Sequence, residues 1–296
     1  MFQRLLSKEF WTRVWTRADE DEVLGRAAQL SYYFLLALFP LLLFLITLFG
    51  YFDGAGTHLR NKLISYLGAV MPPTALHLIV VTIEDVTKAR GSGKLSFGLL
   101  FALWAASSGV NALAQALNAA YDVPETRAWW KVRLIAIALT IALATLILSA
   151  LLIVLYGGQL GHTAAVMFHA GRAFAIAWRI LQWPIALAFV LIAFVMIYRF
   201  VPNVSAKRHG RGLRDSDYRR RWFSPGIVIA VALWLLVSLG FRLYLHFFNS
   251  YNATYGSLGA LIILMLWFYL TGVAILLGGE INCEFESGDR GLETRG

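Results

Sequence analysis

The chain is short of charge and of cysteine, and each shortage removes a class of protein. Charged residues make up 15% of its 296 positions while 59% are hydrophobic, which leaves too few polar groups to cover the surface of a soluble domain. The one cysteine, Cys283, excludes an internal disulfide and a thiolate metal cluster, so helix packing has to hold the fold. The six histidines, His58, His77, His162, His169, His209 and His246, form no HxH or HExxH spacing, and so offer no metal-ligand pattern. Phosphate-loop Gly-Lys-Ser/Thr and dinucleotide fingerprints are also missing, so nothing couples the chain to ATP. No cofactor, no metal and no catalytic residue is expected.

What the sequence has instead is six long apolar stretches, at about residues 27–51, 96–117, 134–156, 178–198, 225–248 and 257–277. A spanning helix needs roughly 20 mostly apolar residues, and a buried soluble helix rarely stays apolar all round for that length. The expected fold is all-α: a polytopic membrane protein with six transmembrane helices, forming one integral membrane domain over 1–296. The first stretch runs into Gly50, Tyr51, Phe52 and Asp53 without a small-residue cleavage site. It reads as a retained span rather than a signal peptide.

Basic residues in short loops are retained on the cytoplasmic side, so their distribution sets orientation. With six spans, the N-terminal segment, the second and fourth loops and the C-terminal tail share a side. That side carries eighteen Lys and Arg, against seven on the other side and Arg242 within a span. Both termini are expected in the cytoplasm. The densest basic run, Lys207, Arg208, Arg211, Arg214, Arg219, Arg220 and Arg221 in a loop over 199–224, would point to nucleic acid in a soluble protein with net charge +9. In a membrane protein it reads as a positive-inside loop against anionic lipid headgroups, with Trp222 as an interface anchor. Membrane lipids are the expected partners and nucleic acid is not; the oligomeric state leaves no mark.

Two segments are amphipathic without being long enough or apolar enough to span. In residues 1–24, Phe2, Leu6, Phe10 and Val14 recur every four positions beside Trp11 and Trp15, as in a helix lying at the membrane interface. In the outer loop over 53–95, Leu59, Leu63, Leu67 and Val70 precede Met71-Pro72-Pro73, and Leu76, Ile79, Val80, Ile83 and Val86 follow. Prolines end the first of these helices, so a periplasmic helical hairpin is expected.

The spans also carry polar groups in register. Trp104, Ser108, Asn111, Gln115, Asn118 and Asp122 are spaced 4, 3, 4, 3 and 4 apart, which places them on one helical face that lipid tails cannot satisfy. The first stretch adds Arg26, Gln29 and Tyr33, then Pro40, which can kink the helix; the fifth adds Trp234, Ser238, Arg242 and Asn249. Glu280, Asn282, Glu284 and Glu286 mark the start of the tail over 278–296, where Glu280 either pairs with a basic residue or titrates. Gln29, Tyr33, Trp104, Ser108, Asn111, Gln115, Asn118, Arg242, Asn249 and Glu280 are the candidate substrate path. Two readings stay open: a hydrated groove for a polar or amphipathic molecule, and plain interhelical hydrogen bonding. Gly278-Gly279 reads as a site of close helix approach. A short echo, Trp104 to Gly109-Val110 and Trp267 to Gly272-Val273, raises the idea of two related hairpins.

Several of these segments also carry a family resemblance. Arg26-Ala27-Ala28-Gln29-Leu30-Ser31-Tyr32-Tyr33 with Leu38-Phe39-Pro40-Leu41, Trp104-Ala105-Ala106-Ser107-Ser108-Gly109 with Asn118-Ala119-Ala120-Tyr121-Asp122, Tyr198-Arg199-Phe200-Val201-Pro202-Asn203, and Ser250-Tyr251-Asn252-Ala253-Thr254-Tyr255-Gly256-Ser257-Leu258-Gly259 resemble the YihY/BrkB family of bacterial inner-membrane proteins, once labelled ribonuclease BN. The resemblance covers nearly the whole chain. It implies a six-span inner-membrane fold with cytoplasmic termini, no ribonuclease activity, and a transporter or flippase-like role with phospholipid or lipopolysaccharide in the envelope. The alternative is a non-transporting scaffold for envelope-protein partners, with a membrane-bound ribonuclease third. The basic insert from Lys207 to Arg221 is longer and more charged than the family pattern.

Overall fold

A computed structural model describes residues 7–50, 64–65, 80–81, 93–167, 172–203, 224–247 and 251–293. The elements are α1 (Lys8–Glu20), α2 (Val23–Gly50), α3 (Gly93–Ala106), α4 (Ser108–Ala120), α5 (Trp129–Met167), α6 (Arg172–Phe200), α7 (Pro225–Phe247) and α8 (Tyr251–Glu293), with no strand among the described residues. Among the described residues, five helical segments are long and apolar enough to cross a membrane: Leu100–Ala120, Trp129–Val154, Ile176–Phe200, Pro225–Tyr244 and Leu261–Glu286. The first expected span coincides with α2, a continuous helix that keeps Pro40 inside it. The expected hairpin falls almost wholly outside the described residues, as do Asn249 and the whole run from Lys207 to Arg221.

The most extensive pairings are α5 with α6, α7 with α8, and α8 with α2. Their shared core includes Leu30, Leu117, Tyr121, Tyr198, Ala230 and Leu276, while Phe101, Ile180 and Leu236 stand exposed on the outer surface, where hydrocarbon would cover them. Small residues set the closest approaches. A Cβ on Gly278 would lie 2.6 Å from Ala230 Cβ and 2.8 Å from the Gly226 carbonyl, and would collide with Tyr198 Oη; membrane helices pack through such positions. Both glycines of the Trp-x4-Gly-Val echo pack on α2, Gly109 with Ala37 and Phe34, and Gly272 with Ala27.

The second span is not one continuous helix. At Ser107 the α3 ladder gives way to α4, and the freed carbonyls take other donors: Ser107 Oγ donates to Trp104 O at 2.7 Å, and Ser108 Oγ to Ala105 O at 2.6 Å. Hydroxyls and neighbouring helices routinely satisfy such breaks inside membranes.

α1 begins at Ser7, whose Oγ accepts from Phe10 N at 3.2 Å as an N-cap. It ends in a tight reversal at Glu22, φ 51°, closed by Arg26 Nε donating to Asp21 O at 2.7 Å. Phe10 and Val14, each 3% exposed, pack against Ile281 and Phe285 of α8. The apolar stripe of this helix is therefore covered by protein. Trp11 and Trp15 remain on its outer side, Trp15 at 68% exposure.

Candidate functional site

The polar groups gather at one end of the bundle, where α4 and α6 finish and α5 and α7 begin. There a cleft of about 590 Å³ opens between α4 and α5, lined by Trp104, Asn111 and Gln115, by Glu125 and Arg127 of the connecting loop, and by Trp129, Val132 and Arg133. Two spans end beside it, Leu100–Ala120 and Trp129–Val154. Trp129 is 74% exposed and Trp130 is also exposed, as aromatic residues at a headgroup interface are. The Arg133 guanidinium stacks 4.1 Å from the Trp104 ring centroid and donates through Nη2 to the Trp104 carbonyl released near the helix break. Its buried Nε has no hydrogen-bond partner among the described residues.

The loop that roofs the cleft is tied down from both sides. Asn118 Nδ2 donates to Glu125 Oε2 at 2.9 Å, and Asn118 Oδ1 accepts from the Asn203 backbone at 2.6 Å. Asn203 Nδ2 in turn donates to Pro124 O at 3.1 Å and Thr126 Oγ1 at 2.9 Å, while Arg127 reaches Val201 O at 3.0 Å. Burial would raise the Glu125 pKa, but hydrogen bonds from Arg127 and Asn118 outweigh it and hold the carboxyl below its ordinary 4.5. A carboxylate whose pKa falls on folding adds stability above its unfolded value and loses it as pH drops through the folded one. Glu125→Gln should therefore lower the melting temperature at neutral pH, and that deficit should shrink as pH falls below 4.5. A deficit that stays constant into acid would place the loss elsewhere.

A second polar cluster joins α1 to α8 around a buried carboxyl. Glu280 is 0% exposed and has Arg17 Nε at 3.5 Å, with Asp21 also acting on it. Arg17 further lies 3.7 Å from Asp122 and donates to Cys283 Sγ at 3.1 Å, and Arg13 pairs with Glu284 at 2.8 Å. Burial lowers the Arg17 pKa, but Cys283, Glu280 and Asp122 together hold it above the ordinary value. Asn282 joins three helices: its Oδ1 accepts from Gly226 N at 2.8 Å, filling one orphan donor of the α7 N-terminus, and its Nδ2 donates to Tyr121 Oη at 3.1 Å.

The candidate residues thus separate. Trp104, Asn111 and Gln115 line the cleft. Ser108 bonds back to its own helix, and Asn118 is buried as the fastening of the roof loop. Glu280 is enclosed in the α1–α8 cluster, and Gln29, Tyr33 and Arg242 are exposed and do not line the cleft. Glu125, Arg127, Trp129 and Arg133 were not among the candidates; their signal was an acidic and two basic residues, with two tryptophans, in the short connection after the polar stripe.

Five apolar helices of spanning length, packed over a polar end with a side cleft, define a polytopic helical membrane protein. The chain belongs to the family described as Virulence factor BrkB, whose model matches residues 14–295. It is 37% identical over 273 residues to the Putative ribonuclease-like protein YfkH of Bacillus subtilis (strain 168), covering 92% of this chain and 94% of that one. It is 28% identical over 284 residues to a UPF0761 membrane protein of Xanthomonas campestris pv. campestris (strain B100), covering 94% of this chain but 61% of the relative. A UPF0761 membrane protein of Xanthomonas oryzae pv. oryzae (strain PXO99A) is likewise 28% identical over 285 residues and 61% covered. No solved structure matches.

Proposed function

We propose that this chain is an inner-membrane, flippase-like transporter of envelope lipids, with α2 as a sixth span, both termini in the cytoplasm and lipid headgroups entering the cleft between α4 and α5. The orientation rests on the eighteen-to-seven distribution of basic residues. The observation that carries the lipid reading is the cleft itself: a largely apolar lining that holds one uncancelled cation and two side-chain amides, beside the ends of two spans. Among the described residues the side-chain amides of Asn111 and Gln115 are not hydrogen-bonded to protein, which favours a path over interhelical glue. The ribonuclease wording in the Bacillus relative's name is not carried over to this chain.

The test replaces both amides by Leu in the reconstituted full-length protein. Leu is favourable in hydrocarbon, so insertion should hold. Translocation of a fluorescent phospholipid should fall several-fold while the melting curve stays in place. Unchanged translocation with a stability loss of order 1 kcal/mol per contact would make these groups structural and remove this face from the transport path.

A further inference from the structure

We infer that Arg133 is the phosphate contact of this cleft, and that the cleft takes lipids with net-anionic headgroups in preference to zwitterionic ones. The inference rests on the lipid reading above and adds a substrate class to it.

Three charged side chains line the cleft, and two of them cancel. Arg127 Nε meets Glu125 Oε1 at 2.8 Å and Arg127 Nη2 meets Glu125 Oε2 at 2.6 Å. Each Glu125 oxygen accepts a second bond, Oε1 from Arg127 N at 3.0 Å and Oε2 from Asn118 Nδ2 at 2.9 Å. A carboxylate has about four acceptor sites, and all of these are filled. The ammonium of an ethanolamine or choline headgroup therefore finds no free carboxylate among the lining residues.

Arg133 is the remaining cation. Its plane is fixed by the Trp104 ring and carbonyl, and among the described residues that carbonyl is its one hydrogen-bond acceptor, which leaves the Nη1 edge for a ligand. A guanidinium edge presents paired donors that match the oxygens of a phosphate. Trp129, in the first turn of α5, also lines the cleft, so the positive end of that helix adds to the same potential. Asn111 and Gln115 line the same cleft with amides that are not hydrogen-bonded among the described residues, suited to the hydroxyls of a glycerol or sugar headgroup. Arg133 stands one turn inside the Trp129–Val154 span, next to the exposed Trp129 and Trp130 at its start, within reach of a headgroup there.

The test is native mass spectrometry of the full-length protein released from micelles holding equimolar phosphatidylglycerol and phosphatidylethanolamine with identical chains. Both lipids offer Arg133 a phosphate, but only phosphatidylethanolamine brings an ammonium, which that cation repels and no free lining carboxylate offsets; wild type should therefore retain phosphatidylglycerol about tenfold more, a difference of about 1.4 kcal/mol. Arg133→Gln should bring the ratio near one, and Arg133→Lys should keep part of it, since charge survives while the planar fork is lost. The basic run from Lys207 to Arg221 is intact in every variant, so the change in ratio reads Arg133 alone. A melting curve accompanies each variant, and the Lys variant carries the test if Gln fails to fold. A wild-type ratio near one, or a preference that survives Arg133→Gln, overturns the assignment. Displacement of bound lipid by millimolar inorganic phosphate would make this a free-phosphate site and overturn the lipid source. Retention of both lipids lowered equally by Arg133→Gln removes the headgroup preference but keeps the cleft as a lipid site; retention untouched by both Arg133→Gln and Gln115→Leu removes the lipid reading itself.

Discussion

Arg17→Ala should destabilise the protein by about 1–3 kcal/mol, because it leaves a fully buried carboxyl without its polar partner, a group that takes up a proton instead of standing as an unpaired charge. Glu280 is 0% exposed, and neither of its oxygens has a hydrogen-bond partner among the described residues. The Arg17 guanidinium lies 3.5 Å from one of them. With that cation gone, Glu280 is left with Asp21 acting on it and with no other basic group at ion-pair distance among the described residues. The same change releases Asp122 and Cys283 from the other arms of Arg17 and loosens α1 from the end of α8. Glu280→Gln alone should cost much less, since Arg17 is partly exposed and keeps Asp122. The double variant should recover most of the loss, which melting curves of the four proteins in one detergent would show. An Arg17→Ala loss that Glu280→Gln does not relieve would mean that the two side chains do not compensate one another.

A second large loss is expected at the crossing of α7 and α8. Gly278→Ala would push a methyl into Tyr198 Oη, Ala230 Cβ at 2.6 Å and the Gly226 carbonyl at 2.8 Å, and Gly226→Ala would push one into the Gly278 carbonyl and the Asn282 side chain. Two of these neighbours are backbone, so relief requires the helices to separate rather than a rotamer to turn. Overpacking costs about 1–3 kcal/mol where a core can adjust, and occasionally more; these sites should lie at or above the top of that range. Separation would also break the bond from Gly226 N to Asn282 and the 2.5 Å bond from Tyr198 Oη to Ile275 O. Gly240, on the same α7, is the control, because an added Cβ there meets nothing within 4 Å. Gly240→Ala should leave the melting temperature unchanged or raise it. Equal effects at positions 240 and 278 would contradict the packing described.

Five of the six expected spans match helices of spanning length, because twenty apolar residues in a row answer to one solvent, the bilayer, whatever their neighbours are. The amphipathic start of the chain was readable as a helix but not as a partner. The period of Phe10 and Val14 reports a buried stripe, and lipid or α8 would bury it equally well. Glu280 shows the same limit: its need for a basic partner follows from burial, whereas the choice of Arg17 depends on the reversal at Glu22 that folds α1 back over α8. In the polar stripe, the 4-3 spacing brought Trp104, Asn111 and Gln115 to one cleft. It could not show that Asn118, on the same face, is turned inward by Glu125 and Asn203. Arg127 and Arg133 carry the charge of the cleft, yet in the sequence they serve equally as positive-inside markers, so their tertiary role had no separate signal.

Whether headgroups occupy the cleft can be measured by photo-crosslinking. The reconstituted protein is irradiated with a phospholipid that carries its photoreactive group on the headgroup, and the modified peptides are mapped by mass spectrometry. Adducts should concentrate on the side chains that line the cleft, from Asn111 and Gln115 on α4 to Arg127, Trp129 and Arg133 around the start of α5. Adducts spread evenly over the ends of all the spans, with no excess at those residues, would contradict the lipid reading.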